Sequence, residues 1–269
     1  MSMPNIHSAA EVFRNRVLRR EPVYGTFIKT PTSHATEILG ALGFDFVVID
    51  AEHAPFGRAQ IDQCILAARA AGIAPIVRVA CARSELILAA LDDGAFGVMV
   101  PHITDAKCAH QVVAASRYAG QRGFSNSPRS GEYGQRSTWE HIERADREAL
   151  VIGMIEDPEA VDNIDEIASV DGLDCVFVGR GDLTAAYRDC EINAPRVRTA
   201  AERVLAAVNS VKKPAFLLAA NALDAQHHAE MGVTGFLISS DQGFLKAAAG
   251  TGLNDCKQAM RGIFDSGKS

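Results

Sequence analysis

Aromatic residues are scarce in this chain: they occupy 6% of its 269 positions and include a single tryptophan, Trp139. Stacking platforms for single-stranded nucleic acid need several rings along a basic groove, so that class is disfavoured. Positive charge is also in short supply, with 27 Lys plus Arg against 33 Asp plus Glu, a net of −6, and no Lys/Arg block. No nucleic-acid partner is expected. The six cysteines, Cys64, Cys81, Cys108, Cys175, Cys190 and Cys256, form no CxxC and no short metal-type spacing. They read as reduced, mostly buried small apolar residues. No apolar run reaches the roughly 18 residues of a membrane span. The opening MSMPNIHSAAEVFRNRVLRR lacks the apolar core of a secretory signal. A cytoplasmic protein with no membrane partner is expected.

What the chain has in plenty is apolar and small residues. Hydrophobic residues make up 48% and charged residues 22%, enough for a sizeable core. Ser8-Ala-Ala-Glu11 fits a capping box that opens a leading helix. Eight short, nearly continuous apolar runs follow: Tyr24–Ile28, Phe46–Ile49, Ala74–Val79, Gly97–Val100, Leu150–Ile155, Cys175–Val178, Pro214–Leu218 and Gly235–Ile238. That is the pattern of parallel strands covered on both faces. Helical stripes lie between them at Ile61, Ile65, Leu66 and Ala68, at Glu85–Leu91, and at Val197–Val211. Gly43, Gly72, Gly94, Gly172 and Gly232 sit where helices should end, a few residues before the next strand.

Eight βα repeats without a composition break, at a length near the typical barrel of about 250 residues, predict an α/β fold, a (β/α)8 TIM barrel with a leading N-terminal helix. The runner-up is a doubly wound sheet. One domain is expected over residues 1–269. Tyr118–Ser137 is Gly/Ser/Arg-rich and too long for an ordinary connection, so it reads as a lid or a flexible loop. The end, FDSGKS, reads as the frayed tip of a terminal helix.

Barrel active sites lie at the C-terminal ends of the strands. There the sequence puts His53 in DAEHAP after strand two, Arg78 in strand three, Glu156 after strand five and Asp182 in GRGDL after strand six. Two carboxylates from adjacent strands suit a hard divalent cation. Arg78 would add positive charge where an oxyanion forms, and His53 would move a proton. This constellation points to proton abstraction or C–C cleavage beside a carbonyl. Taken singly, each residue has a plain structural role as cap, ion pair or packed loop residue; Asp182 could simply cap the next helix.

At these residues the chain resembles the HpcH/HpaI aldolases, metal-dependent class II pyruvate aldolases, from about Val23 to Gly250. FDFVVIDAEHAP (44–55) carries the likeness most specifically, supported by LDDGAFGVMVPHI, by GQRGF (120–124), by IE…N-IDEI (155–167) and by GRGDL (179–183). The resemblance implies that His53 is the catalytic base and that Arg78 binds the oxo acid and stabilises its enolate. It implies Glu156 and Asp182 as metal ligands, and Asp92 as the aspartate that raises the basicity of the histidine, with Asp93, Asp50 and Glu52 as competitors for that place. The Gly181 and Asp182 amides would hold the substrate carboxylate. Also implied are Mg2+ or Mn2+, with Co2+ as a further candidate, pyruvate or another 2-oxo acid plus an aldehyde as substrates, and a homo-oligomer, hexamer or trimer.

The chain departs from the family's pattern at Met154, where a glutamine is usual, at Arg180, where the loop usually reads Gly-Pro, and at Phe27, a tryptophan in some members, with Lys29 close by. Phe27, Tyr133 and the 120–137 loop are candidates for shaping the aldehyde pocket. Competing readings are a Schiff-base aldolase using Lys29, an acyl-CoA lyase of the citrate or malyl-CoA lyase type, and a non-catalytic oxo-acid-binding barrel motivated by Met154 and Arg180.

Overall fold

The computed structural model describes residues 8–264. Eight parallel strands run in chain order: β1 (Val23–Ile28), β2 (Phe46–Asp50), β3 (Ala74–Arg78), β4 (Gly97–Val100), β5 (Leu150–Ile155), β6 (Cys175–Val178), β7 (Ala215–Ala219) and β8 (Gly235–Ser240). Each pairs with the next, and β8 closes onto β1. Closure makes this the (β/α)8 barrel and excludes the doubly wound sheet. Every expected apolar run is a strand, with ends moved by two residues or fewer.

Side-chain alternation then decides what reaches the mouth of the barrel. In β2, Phe46 and Val48 face the interior while Val47 and Ile49 pack outward against helices. The same alternation puts Ala74 and Ile76 of β3, and Leu150, Ile152 and Met154 of β5, inside. The rings of Phe46 and Phe216 meet at 5.4 Å between centroids. Counting on by two, the next inward places fall to Asp50, Arg78 and Glu156, at the C-terminal rim. The apolar layers below them form a closed floor.

The opposite mouth is covered by the leading helix Ala9–Leu18. Its N-cap is Ser8, whose hydroxyl accepts the Glu11 amide at 3.1 Å. Phe13 of this helix lies 5.8 Å from the Phe46 ring, and Val17 is fully buried. Arg14 anchors the same helix to buried Asp174, which also takes Arg117 and the Val151 amide. The five glycines expected at helix ends have φ between +72° and +93°, a region that a Cβ disfavours.

Several expectations are corrected. Leu66 is exposed, because the buried stripe of helix Arg58–Ala70 is Cys64, Ile65, Ala67 and Ala68. Val211 lies beyond helix Pro195–Ser210 and is also exposed. Of the six unbonded cysteines only Cys64 and Cys175 are buried, and Cys190 and Cys256 are exposed. The 118–137 stretch does not cover the C-terminal mouth of its own barrel. Helix Ala106–Ser116 first carries the chain back to the N-terminal end of the barrel, where the stretch folds around a 3-10 turn, Arg129–Gly134, with Arg122, Gly131 and Arg136 buried. The expected frayed tip falls largely on residues 265–269, outside the described ones. No helix among the described residues is long and apolar enough to cross a membrane.

Candidate active site

Asp50 and Arg78 are register partners on β2 and β3, so two inward side chains meet side by side. Arg78 Nε and Nη2 donate to Asp50 Oδ1 and Oδ2 at 2.9 and 2.7 Å, a bidentate pair with Asp50 fully buried. Burial alone would raise the Asp50 carboxyl, but Arg78, the His53 amide and Lys29 together hold it below its ordinary value. The guanidinium lies 4.8 Å from the centroid of the Phe27 ring. Fixed on two sides, it lines the cavity with Nη1 as its one terminal nitrogen not bonded to Asp50. Lys29 Nζ sits 3.3 Å from Asp50 Oδ2. An ion-paired amine of this kind is not the desolvated lysine that Schiff-base chemistry requires.

His53 follows β2 on a turn held by its own amide, which donates to Asp50 Oδ1 at 3.1 Å. Its ring faces the cavity, with Nε2 3.7 Å from Glu52 Oε2. That same oxygen lies 3.4 Å from Arg78 Nη1 and is buried with no hydrogen bond among the described residues. Glu52 thus stands between the arginine and the base. Beyond it, His102 after β4 has φ +55°, and its amide donates to Glu156 Oε1 at 2.9 Å. Its Nδ1 meets Asp157 Oδ2 at 2.9 Å, and that bond raises the His102 pKa above its ordinary value. His102 was missed from sequence; the available signal was its place directly after a strand, in VPHI.

Glu156 is 2% exposed. Burial pushes its carboxyl up to about 7; the His102 amide opposes this, and the charge of Asp182 adds to it. Asp182 takes no hydrogen bond from the described residues and opens helix Arg180–Tyr187, where the Gly181 and Asp182 amides lack intrahelical partners. Gly179 makes the close approach possible: a Cβ there would lie 2.5 Å from Glu156 Cβ. Among the described residues no three His, Cys, Asp or Glu side chains form a metal cluster. A buried carboxylate beside a second free one, with open positions around them, fits a hard divalent cation that keeps waters for substrate.

Arg180 lines the same cavity as the candidate site, but its guanidinium is held by a carboxylate. It is buried and ion-pairs with Asp224 through both terminal nitrogens, and Nη2 also donates to the Leu218 carbonyl at 2.8 Å. Met154 packs in the barrel interior with Phe27 and Phe177. Together Phe27, Lys29, His53, Arg78, Gly181 and Asp182 line one cavity of about 370 Å³, which Tyr133 and the 120–137 loop do not reach.

Asp92 is not brought to His53. It ends helix Ser84–Asp92, which runs down from the C-terminal rim for about 13 Å. There it accepts Arg122 Nη2 at 2.9 Å, while its neighbour Asp93 takes Arg58.

The HpcH/HpaI aldolase/citrate lyase family model matches residues 24–245. A 5-keto-4-deoxy-D-glucarate aldolase of Enterobacter sp. (strain 638) is 31% identical over 239 residues, 88% of this chain and 93% of that relative. Among solved structures, an HpcH/HpaI aldolase/citrate lyase family protein from Burkholderia cenocepacia J2315 superposes with a TM-score of 0.87 at 30% identity, covering 92% of this chain and 99% of that one. The citrate synthase SbnG superposes at 0.84 with 32% identity, covering 91% and 97%. The chain belongs to the HpcH/HpaI aldolase/citrate lyase family and is a class II aldolase, a carbon–carbon lyase.

Proposed function

We propose that the chain reversibly cleaves 4-hydroxy-2-oxo acids into pyruvate and an aldehyde through the pyruvate enolate, with Mg2+ or Mn2+ held by Glu156 and Asp182. The observation that carries this reading is that His53, Arg78 and the free Gly181 and Asp182 amides line one cavity, with buried Glu156 against Gly179 beside it. When bound, the cation supplies Lewis acidity toward the carboxylate and keto oxygens of the 2-oxo acid. The Gly181 and Asp182 amides, at a helix N-terminus, hold the substrate carboxylate. His53 takes the proton of the C4 hydroxyl. The C3–C4 bond then breaks, its electron pair forms the enolate of pyruvate, and C4 leaves as the aldehyde. Arg78, immobilised by Asp50, places its free N–H groups where negative charge develops on the C2 oxygen. Protonation at C3 by the imidazolium of His53 completes pyruvate. Glu52 keeps the ring facing the cavity.

A homo-oligomer is part of the proposal. The closing helix Asp241–Phe264 touches its own barrel mainly at β1 and β8, and it leaves Leu245 71% and Leu253 55% exposed. Because Asp92 sits at the far end of its own barrel, any action of Asp92 on a histidine ring would be on that of a second copy. The first substrate to assay is 5-keto-4-deoxy-D-glucarate, since several relatives are named for its cleavage. The test is pyruvate release from that acid and from simpler 4-hydroxy-2-oxo acids after treatment with a chelator. Activity that disappears and returns with Mg2+ or Mn2+ supports the reading. Cleavage that persists without metal, with pyruvate trapped on Lys29 by borohydride, overturns it.

A further inference from the structure

At the end of the barrel opposite the catalytic mouth lies a second cavity, of about 180 Å³, lined by Arg69, Arg122, Arg129, Arg136 and Arg144 with Glu148 as the acidic residue. These arginines come from three parts of the chain: helix Arg58–Ala70, the 118–137 stretch and helix Thr138–Glu148. Four of the five have a carboxylate partner. Arg122 binds Asp92, Arg129 binds Asp62, Arg136 binds Glu132, and Arg144 binds Glu148. Asp62 and Glu132 are themselves partly in solvent, with side chains 42% and 47% exposed. Arg69 has no carboxylate within ion-pairing distance among the described residues; it donates to the Gly94 carbonyl and lies over the Phe96 ring. Burial lowers its pKa, the charges of Arg129 and Arg136 add to that effect, and those of Glu148 and Glu132 oppose it.

Donors are also left over. Arg122 Nε, Arg136 Nε and Ser130 Oγ are buried and find no hydrogen-bond partner among the described residues, although all three residues line this cavity. Buried donors without partners are costly and mark places where a ligand or an ordered water completes the structure. The volume is far above the roughly 10–15 Å³ that one water requires.

We infer that this arginine-lined cavity at the base of the barrel is a binding site for a compact tetrahedral oxyanion, phosphate or a phosphate monoester, separate from the catalytic site. A planar carboxylate is satisfied by one guanidinium fork. Donors converging from three directions instead match an ion whose oxygens point several ways. The ligand sits on the segment that leads into β4 and on the 3-10 turn, so it stiffens the N-terminal end of the barrel and does not take part in the reaction.

The test is binding of inorganic phosphate and of glycerol phosphate to the full chain, by calorimetry and by thermal shift, at constant ionic strength set with chloride. Arg69→Met removes one cation without stranding a carboxylate, and Ser130→Ala removes one unpartnered hydroxyl. The expected result is saturable phosphate binding, weakened about tenfold or more by Arg69→Met and severalfold by Ser130→Ala, and retained in Arg78→Met. Tighter binding of glycerol phosphate identifies an ester as the ligand, and equal or weaker binding identifies the free ion; either supports the site. A response no larger than that to chloride overturns the inference. So does binding that survives both Arg69→Met and Ser130→Ala, or binding lost in Arg78→Met, which would place the ion at the catalytic mouth.

Discussion

Arg78 shows how much one contact can determine. Two of its nitrogens are spent on Asp50, and the third, Nη1, lies 3.4 Å from Glu52 at the edge of the cavity. Arg78→Lys keeps the charge but loses the fork, and kcat should fall by roughly 10²–10³-fold with the chain still folded; steady-state kinetics beside a circular dichroism spectrum checks this. Asp50 makes the matching prediction for stability. Its folded-state pKa lies below the ordinary value of 3.8. Its contribution is therefore fully present above that value and is lost as pH falls through the lower, folded one. Asp50→Asn should flatten the acid limb of an unfolding-against-pH profile below about pH 4. Arg78 and Glu156 were legible from sequence because a strand's alternation points every second side chain inward. Where Arg180 and Asp92 point was not. Their partners, Asp224 and Arg122, lie 44 and 30 residues away, and nothing local announces them.

At the scale of elements, the proposed cation site depends on the junction between β6 and helix Arg180–Tyr187. Gly179 has an ordinary φ of −83°, so its need for glycine is steric: a Cβ would strike Glu156. Gly179→Ala should weaken Mn2+ binding at least about tenfold in a calorimetric titration, because a ligand displaced by even a small distance loses its geometry. Arg180 fastens the same junction to β7 and to helix Ala222–Glu230 through Asp224. Arg180→Met should cost about 3–5 kcal/mol in denaturant unfolding, since it strands a buried carboxylate, and Asp224→Leu in the same chain should recover most of that loss. Strand positions were read closely from sequence because strands covered on both faces are continuous apolar runs. The 118–137 stretch was misplaced because Gly/Ser/Arg content predicts a long loop but not the rim on which it lies.

For the whole molecule, the barrel has its candidate site at one end and its closure at the other. The helix Ala9–Leu18 seals the base with Phe13 and Val17. Phe13→Ala should lower stability by about 3–5 kcal/mol by thermal or denaturant unfolding. The folded fraction should keep its KM for the oxo acid, because Phe13 does not line the candidate-site cavity. The eightfold repeat was legible as a whole because the apolar runs and the glycines that end the helices recur together; Gly43 to Gly232 all take the positive φ that position implied.

Exchange of the pyruvate methyl protons in D2O, followed by NMR, tests the central claim most directly, since the proposed mechanism requires His53, Arg78 and the two carboxylates for it but no aldehyde. The account predicts loss of the methyl signal with Mg2+ or Mn2+, abolished by a chelator and reduced by His53→Ala. No exchange by a chain that demonstrably binds both pyruvate and metal would contradict it.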